Sequence, residues 1–475
     1  MTLAEPPHAP STNHSGRVDL MMVALVVVAG SIYLPTLGIG EVGAPDPLGR
    51  VLLLVPAFVG ATRELLLGLR LRLHSSSRST ARATTPAAGI ARLSWPGGWL
   101  ESFRSPFGDL AVALTLGSVV WMSVSSLAGP EPLDGAVRGG WFLLSGITLV
   151  GITARAGLDR TLAPAAMSTA GVIGVGLGLH AIGVIDGAWE IELSNEPLFP
   201  WTRMNVLGAN QTIVGLSGAL AALASPVVAR RHGTLAGVAV GVLGVAGVAA
   251  SHNRSAIAAL CAGALAAAAW TRGRWALAAV AGSFGAAGVA VFSTTLSRRL
   301  NRDSLVDDEI FDFYEGSERG VFTGRGEVWA DAWRFGLERP LVGRGNGAFA
   351  QTSAERFLSG AKRRNPGHPH NVVLEVFTDQ GLVGVLVLLA ATIAVVRRRD
   401  RWRPVTAAIL TAVAVHSVVE AMFYGSPSPR WTFLVIVVGA LASGPASHPP
   451  RAQPTGEHET AGVDQQRSAH AEQPR

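Results

Sequence analysis

Two arginines and a histidine, one arginine in a short turn and the other two residues in one long polar stretch, have the side chains to act on a phosphate-linked substrate. Arg254 lies in the turn Ser251-His252-Asn253-Arg254-Ser255, between two apolar runs. Arg325 lies in the segment from Gly324 to Trp333, which reads as a helix with Trp329, Trp333 and Phe335 able to touch apolar material. A guanidinium grips phosphate bidentately and keeps its charge, so either arginine suits an anion clamp; either also suits an ordinary loop position. His370, in His368-Pro369-His370-Asn371, can take up a proton near neutral pH, as a general base acting on a hydroxyl must. The other reading is a structural histidine at a helix start, with His368 as the obvious confounder. Asn371, Glu375 and Asp379 follow at a spacing of four and share one helix face. Arg344 sits in Pro340-Leu341-Val342-Gly343-Arg344-Gly345-Asn346-Gly347, a glycine-rich turn that either offers backbone N–H groups to an anion or is a plain loop.

The elements that position these residues are membrane spans. Hydrophobic residues make up 49% of the 475, charged residues 15%, and mean hydropathy is +0.35. Soluble globular chains carry about 25% charged residues. A span needs about 20 mostly apolar residues. Twelve such stretches lie near 19–38, 49–68, 107–128, 137–154, 162–184, 207–229, 233–250, 254–271, 274–293, 372–396, 404–423 and 429–445. The fold class expected is therefore all-α, a polytopic membrane protein with about 12 transmembrane helices and one large extracytoplasmic loop containing short helices.

Arginines orient the chain. They follow the second, fourth, sixth, eighth and tenth stretches, as in Arg70 and Arg72, Arg155 and Arg160, Arg230-Arg231, Arg272, and Arg397-Arg398-Arg399. The short intervening loops are acidic or carry an isolated arginine. By the positive-inside rule the even loops and both termini are cytoplasmic. The turn holding Arg254, the segment Trp201-Thr202-Arg203 and the loop 294–371 then share the opposite face. The expected organisation is a disordered tail (1–16), spans one to nine (17–293), the large loop (294–371), spans ten to twelve (372–445) and a second disordered tail (446–475). Residues 73–98 read as a flexible linker.

The net charge of +6 is no sign of nucleic-acid binding, because the arginines are scattered over short loops. The single cysteine, Cys261, excludes an internal disulfide and a cysteine-based metal cluster. There is no zinc-type His/Cys spacing and no phosphate-binding P-loop motif. Asp307-Asp308-Glu309 reads as a solvated acidic run rather than a cation site. His180, His416 and Glu420 are polar groups within spans, either packing contacts or the lining of a polar cavity.

Together these segments resemble the O-antigen ligase and O-antigen polymerase superfamily. Ser251 to Ser255 resembles its Ser/Thr-x-x-Arg turn. Gly324-Arg325 through Trp329, then Pro340, Gly343, Gly345 and Phe349, resemble its R…W…P-x-x-G-x-G loop, and His370-Asn371, Leu374, Glu375 and Gly381 resemble its HN…L…G segment. Gly208-Ala209-Asn210 looks like a degraded G-N-P-N, with Ala209 where proline is usual. The signature region runs from about 205 to 400, with 71 residues from Arg254 to Arg325 and 45 from Arg325 to His370. The resemblance implies a metal-independent, inverting glycosyltransferase of the membrane, without cofactor. Its donor is a glycan on a polyprenyl diphosphate, and its acceptor is a lipid, a glycan or a protein. It implies His370, Arg325 and Arg254 as catalytic residues, with Arg203, Asn210, Trp329, Arg344, Asn371 and Glu375 lining the substrate site. A polysaccharide polymerase of the same superfamily and a non-enzymatic lipid-glycan flippase are the alternatives. The acceptor, the sugar and the roles of His368, Asp379, His416 and Glu420 stay open at this level.

Overall fold

Apolar runs closed by capping residues and glycines build a bundle of helices. The computed structural model describes residues 21–27, 58–63, 109–130, 132–182, 211–251, 253–272, 325–358, 368–420 and 429–443. In chain order the helices are α1 (Leu110–Ser126), α2 (Pro132–Ala156), α3 (Leu158–Ala181), α4 (Gln211–His232), α5 (Thr234–Ser251) and α6 (Arg254–Thr271). Then come α7 (Arg325–Leu337), α8 (Ala348–Leu358), α9 (Val372–Arg397), α10 (Pro404–Val419) and α11 (Pro429–Ala442). Residues 21–27 and 58–63 are also helical. Among the described residues there is no strand.

The expected spans at 137–154, 162–184, 207–229, 233–250, 254–271 and 372–396 each correspond to a helix long and apolar enough to cross a membrane, six in all among the described residues. The stretches at 107–128, 404–423 and 429–445 form shorter apolar helices, Leu110–Ser126, Pro404–Val418 and Arg430–Ala442. The stretch at 274–293 and most of those at 19–38 and 49–68 lie outside the described residues, as do both tails, the linker and loop residues 294–324.

Glycine makes the turns tight. α2 stops at Gly157 (φ +85) and α4 at Gly233 (φ +92), left-handed positions open to glycine at no steric cost, so α3 and α5 fold straight back. α4 and α5 then pack backbone to backbone, since a Cβ on Gly218 would meet the Gly244 carbonyl. Small-residue crossings of this kind substitute for the hydrophobic drive that lipid does not supply. α11 is pinned to α2 by Trp431, whose Nε1 donates to the Phe142 carbonyl and to Ser145 Oγ, each at 3.1 Å. The outward faces stay apolar, with Leu382, Leu386, Leu389, Ile393 and Val396 forming one exposed stripe along α9. That stripe is costly in water and cheap in lipid.

The short turns make the helices alternate, and the bundle gains two chemically distinct ends. At one end Arg398 donates to Asp109 at 2.6 Å, Arg403 pairs with Asp159 at 2.8 Å, and Arg401 donates to the Leu441 carbonyl at 2.8 Å. Arg155, Arg230, Arg231 and Arg272 close helices at this same end. The other end collects the close of α1 and α5, the starts of α6, α9 and α11, and the polar helices α7 and α8.

Candidate active site

α9 is the element around which the site is built. Its first turn is capped by Asn371, whose Oδ1 accepts from Val373 N at 2.9 Å and Leu374 N at 3.1 Å. The Asn371 amide also donates to the Val418 carbonyl at 2.9 Å, tying the start of α9 to the end of α10. His370, just before the cap, adopts φ +52, a left-handed conformation unusual for a residue with a Cβ. That turn sets its ring over His368, with centroids 4.0 Å apart, while His370 N donates to His368 Nδ1 at 3.3 Å.

His370 Nδ1 lies 3.2 Å from Glu420 Oε2. Glu420 caps the end of α10 and is buried, as are Glu375 and Asp379 on α9 and Arg430 on α11. Arg430 interacts electrostatically with both Glu375 and Glu420, so one buried cation offsets two buried carboxylates. Charges so far from water persist where they are paired. A chain of charge thus runs from α11 through Glu420 to the imidazole of His370.

Below His370 the helix breaks. Gly381 takes φ +68 and ψ −166 inside α9, which strips the intrahelical partners from the peptide groups on either side. The glycine-rich turn 340–347 supplies them. Arg344 N and Gly345 N donate to the carbonyls of Thr378 and Asp379 at 3.0 and 2.9 Å, while Leu382 N and Val383 N donate to the carbonyls of Pro340 and Leu341 at 2.7 and 3.2 Å. Trp121 Nε1 of α1 donates to the Gln380 carbonyl at 3.1 Å. Gly343 (φ +71) and Gly345 (φ +90) are required by closeness as well as by φ: a Cβ on Gly343 would strike the Asp379 backbone, and one on Gly345 would strike Gly129. Gly343 N donates to the Arg339 carbonyl at 3.0 Å, and the backbone N–H of Gly347 serves Asp379. This turn is therefore a splint for a broken helix. The anion nest considered from its sequence is not formed, because those N–H groups already have protein acceptors.

The arginines are brought to the same end. α6 runs antiparallel to α10: Trp270 stacks near Trp402 with ring centroids 5.6 Å apart, and Gly263 abuts Ala408 and Ala412. Continuing that register carries Arg254, the first residue of α6, to the level of Glu420. Asn253 caps α6 through Oδ1, which accepts from Ala256 N at 3.0 Å and from the Ser255 hydroxyl. α7 runs alongside the first turns of α9. Val328 and Leu374 share a small core with Phe335 and Phe349, Trp333 stacks on Phe377 at 5.0 Å, and Pro340 reaches Leu382. The same register sets the backbone of Arg325, the first residue of α7, at the level of His370 and Asn371.

Of the other expected site residues, Trp329 is half-buried on α7. Arg344 pairs with Glu338 and lies over the Phe335 ring at 4.7 Å. Glu375 faces Arg430 and Asp379 inside the protein. Arg203 and Asn210 lie outside the described residues. Glu420 joins the site although sequence reading assigned it no role, and Arg430 was missed altogether. The signal for Arg430 is present: an arginine opening an apolar span, next to Pro429 and Trp431, is a costly intramembrane charge.

Residues 239–389 match the model of a family described as O-Antigen ligase. The match covers about a third of the chain, holds Arg254, Arg325 and His370, and ends before Glu420 and Arg430. It supports membership of that superfamily. No curated protein matches the chain.

Proposed function

We propose that the protein is a member of the O-antigen ligase superfamily and transfers a glycan from a polyprenyl-diphosphate carrier to an acceptor hydroxyl. The family match over residues 239–389 supports a glycan-transferring membrane enzyme broadly; the donor, the mechanism and the side of the membrane are our reading. The observation that carries the reading is the His370–Glu420 pair at 3.2 Å, set at the end of the bundle where Arg254 and Arg325 also open their helices.

A neutral His370 whose Nδ1–H donates to the Glu420 carboxylate presents Nε2 as a proton acceptor. The acceptor hydroxyl attacks the anomeric carbon from the face opposite the diphosphate, its proton passes to Nε2, and the bond from carbon to phosphate oxygen breaks. One displacement inverts the configuration. Glu420 stabilises the imidazolium formed, in the manner of a carboxylate behind a catalytic histidine. Arg254 and Arg325 hold the diphosphate and meet the charge that grows on it as it leaves. Two guanidiniums thereby supply the charge that a divalent cation supplies in other diphosphate sites, so transfer proceeds with EDTA present.

The arginine-rich end of the bundle faces the cytoplasm under the positive-inside rule, which sets the His370 end on the extracytoplasmic face. A lipid-borne donor explains why the site lies at the end of a membrane bundle. The acceptor is a lipid, a glycan or a protein, and a growing glycan as acceptor makes the same chemistry a polymerase. Transfer assays on the purified protein test the residue roles. His370→Ala lowers turnover by about 10²- to 10⁴-fold, the usual worth of a general base, and Arg325→Ala lowers it with the protein still folded. Turnover near wild type in His370→Ala overturns the base assignment.

A further inference from the structure

The geometry points to a transition-metal site formed by His368, His370 and Glu420, at which Zn²⁺ binds and blocks the base. The three ligand atoms lie within 4.8 Å of one another. His370 Nδ1 and Glu420 Oε2 are 3.2 Å apart, just under the separation of about 3.3–3.6 Å that bonds of about 2.0–2.2 Å give in a tetrahedral zinc site. The three groups come from two segments, His368-Pro369-His370 before α9 and Glu420 at the end of α10, so the short spacings that mark zinc sites in sequence are absent. The left-handed turn at His370 brings both imidazoles of the His-Pro-His run to one side.

Each ligand has the chemistry required. Two imidazoles and one carboxylate are a common zinc set, and three protein ligands leave a fourth position for water or a substrate oxygen. The Asn371 amide, donating to the Val418 carbonyl at 2.9 Å, ties the segment carrying the two histidines to the chain just before Glu420. His368 is half-buried, so the site opens toward solvent on that side.

Occupancy has a chemical consequence that rests on the function proposed above. A metal on Nδ1 of His370 leaves Nε2 protonated and unable to accept the proton of the acceptor hydroxyl. Zinc then inhibits glycan transfer, and a chelator restores it.

The test is calorimetric titration of the purified full-length protein in detergent with Zn²⁺ alone, repeated with Co²⁺ and read by visible absorption. We expect one site with the intense d–d bands of tetrahedral Co²⁺, weakened at least about tenfold in both His368→Ala and Glu420→Gln. Absence of binding, or binding that survives either substitution unchanged, overturns the site. Transfer activity is measured in parallel. Inhibition by Zn²⁺ that is relieved in His368→Ala supports both the site and the base, whereas bound zinc with undiminished transfer sinks the base assignment and leaves the metal site standing.

Discussion

His370 is held from two directions, by the backbone turn that sets it against His368 and by Glu420 at the end of α10. Glu420 is in turn held by Arg430, which also faces Glu375. Removing the cation from this set leaves two buried carboxylates uncompensated. Breaking a buried pair by deleting one partner typically costs about 3–5 kcal/mol, so Arg430→Met lowers the midpoint of thermal unfolding in detergent by several degrees. The double variant Arg430→Met, Glu375→Gln regains much of that loss, because one orphaned charge goes with it. Equal midpoints for Arg430→Met and wild type contradict the pairing. The residue types of this site were legible in the chain: arginines at the start of helices, a histidine before an asparagine cap, carboxylates four apart. Their pairings were not. His370 and Glu420 are 50 residues apart on different helices, and no periodicity connects them.

At the scale of elements, α9 and the turn 340–347 form one unit. Hydropathy reads 372–396 as an unbroken span, and Gly381 gives no sign of a break because glycine is common in transmembrane helices. The break shows only when Thr378, Asp379, Leu382 and Val383 are found bonded to the turn instead of to their own helix. For the same reason the glycines at 343 and 345 read as a possible anion site. A chain rich in left-handed glycine looks alike whether its N–H groups meet a ligand or a carbonyl. Two glycines of the turn separate the splint from simple turn flexibility. Gly343 and Gly347 both sit at positive φ, but a Cβ on Gly347 meets nothing within 4 Å, while one on Gly343 meets the backbone of Asp379 and Gln380. Gly347→Ala therefore carries only the left-handed cost of about 1–2 kcal/mol. Gly343→Ala adds the loss of the splint, with buried peptide groups at about 1–3 kcal/mol each left unsatisfied. Unfolding midpoints should fall far more in Gly343→Ala. Equal falls in the two variants contradict the splint.

Across the whole molecule, arginine-rich loops alternate in the sequence with short loops that are acidic or carry an isolated arginine, and the bundle has two ends. The structure gathers Arg230, Arg398, Arg401 and Arg403 at one of them and His370 with Glu420 at the other. That much is legible because charge asymmetry is a property of loops, which connect helices in strict alternation. Span lengths are less so: α10 ends at Val419 with Glu420 as its cap, although apolar residues continue to 423. The central claim concerns what the site end does, and one measurement reaches it directly. Purified protein in liposomes is given a synthetic glycan on polyprenyl diphosphate together with candidate acceptors and EDTA. We predict one new glycosidic bond, of inverted configuration, for each polyprenyl diphosphate released. Movement of the intact lipid-linked glycan across the bilayer, with no release and no new bond for any acceptor, would contradict the enzyme and make the bundle a flippase.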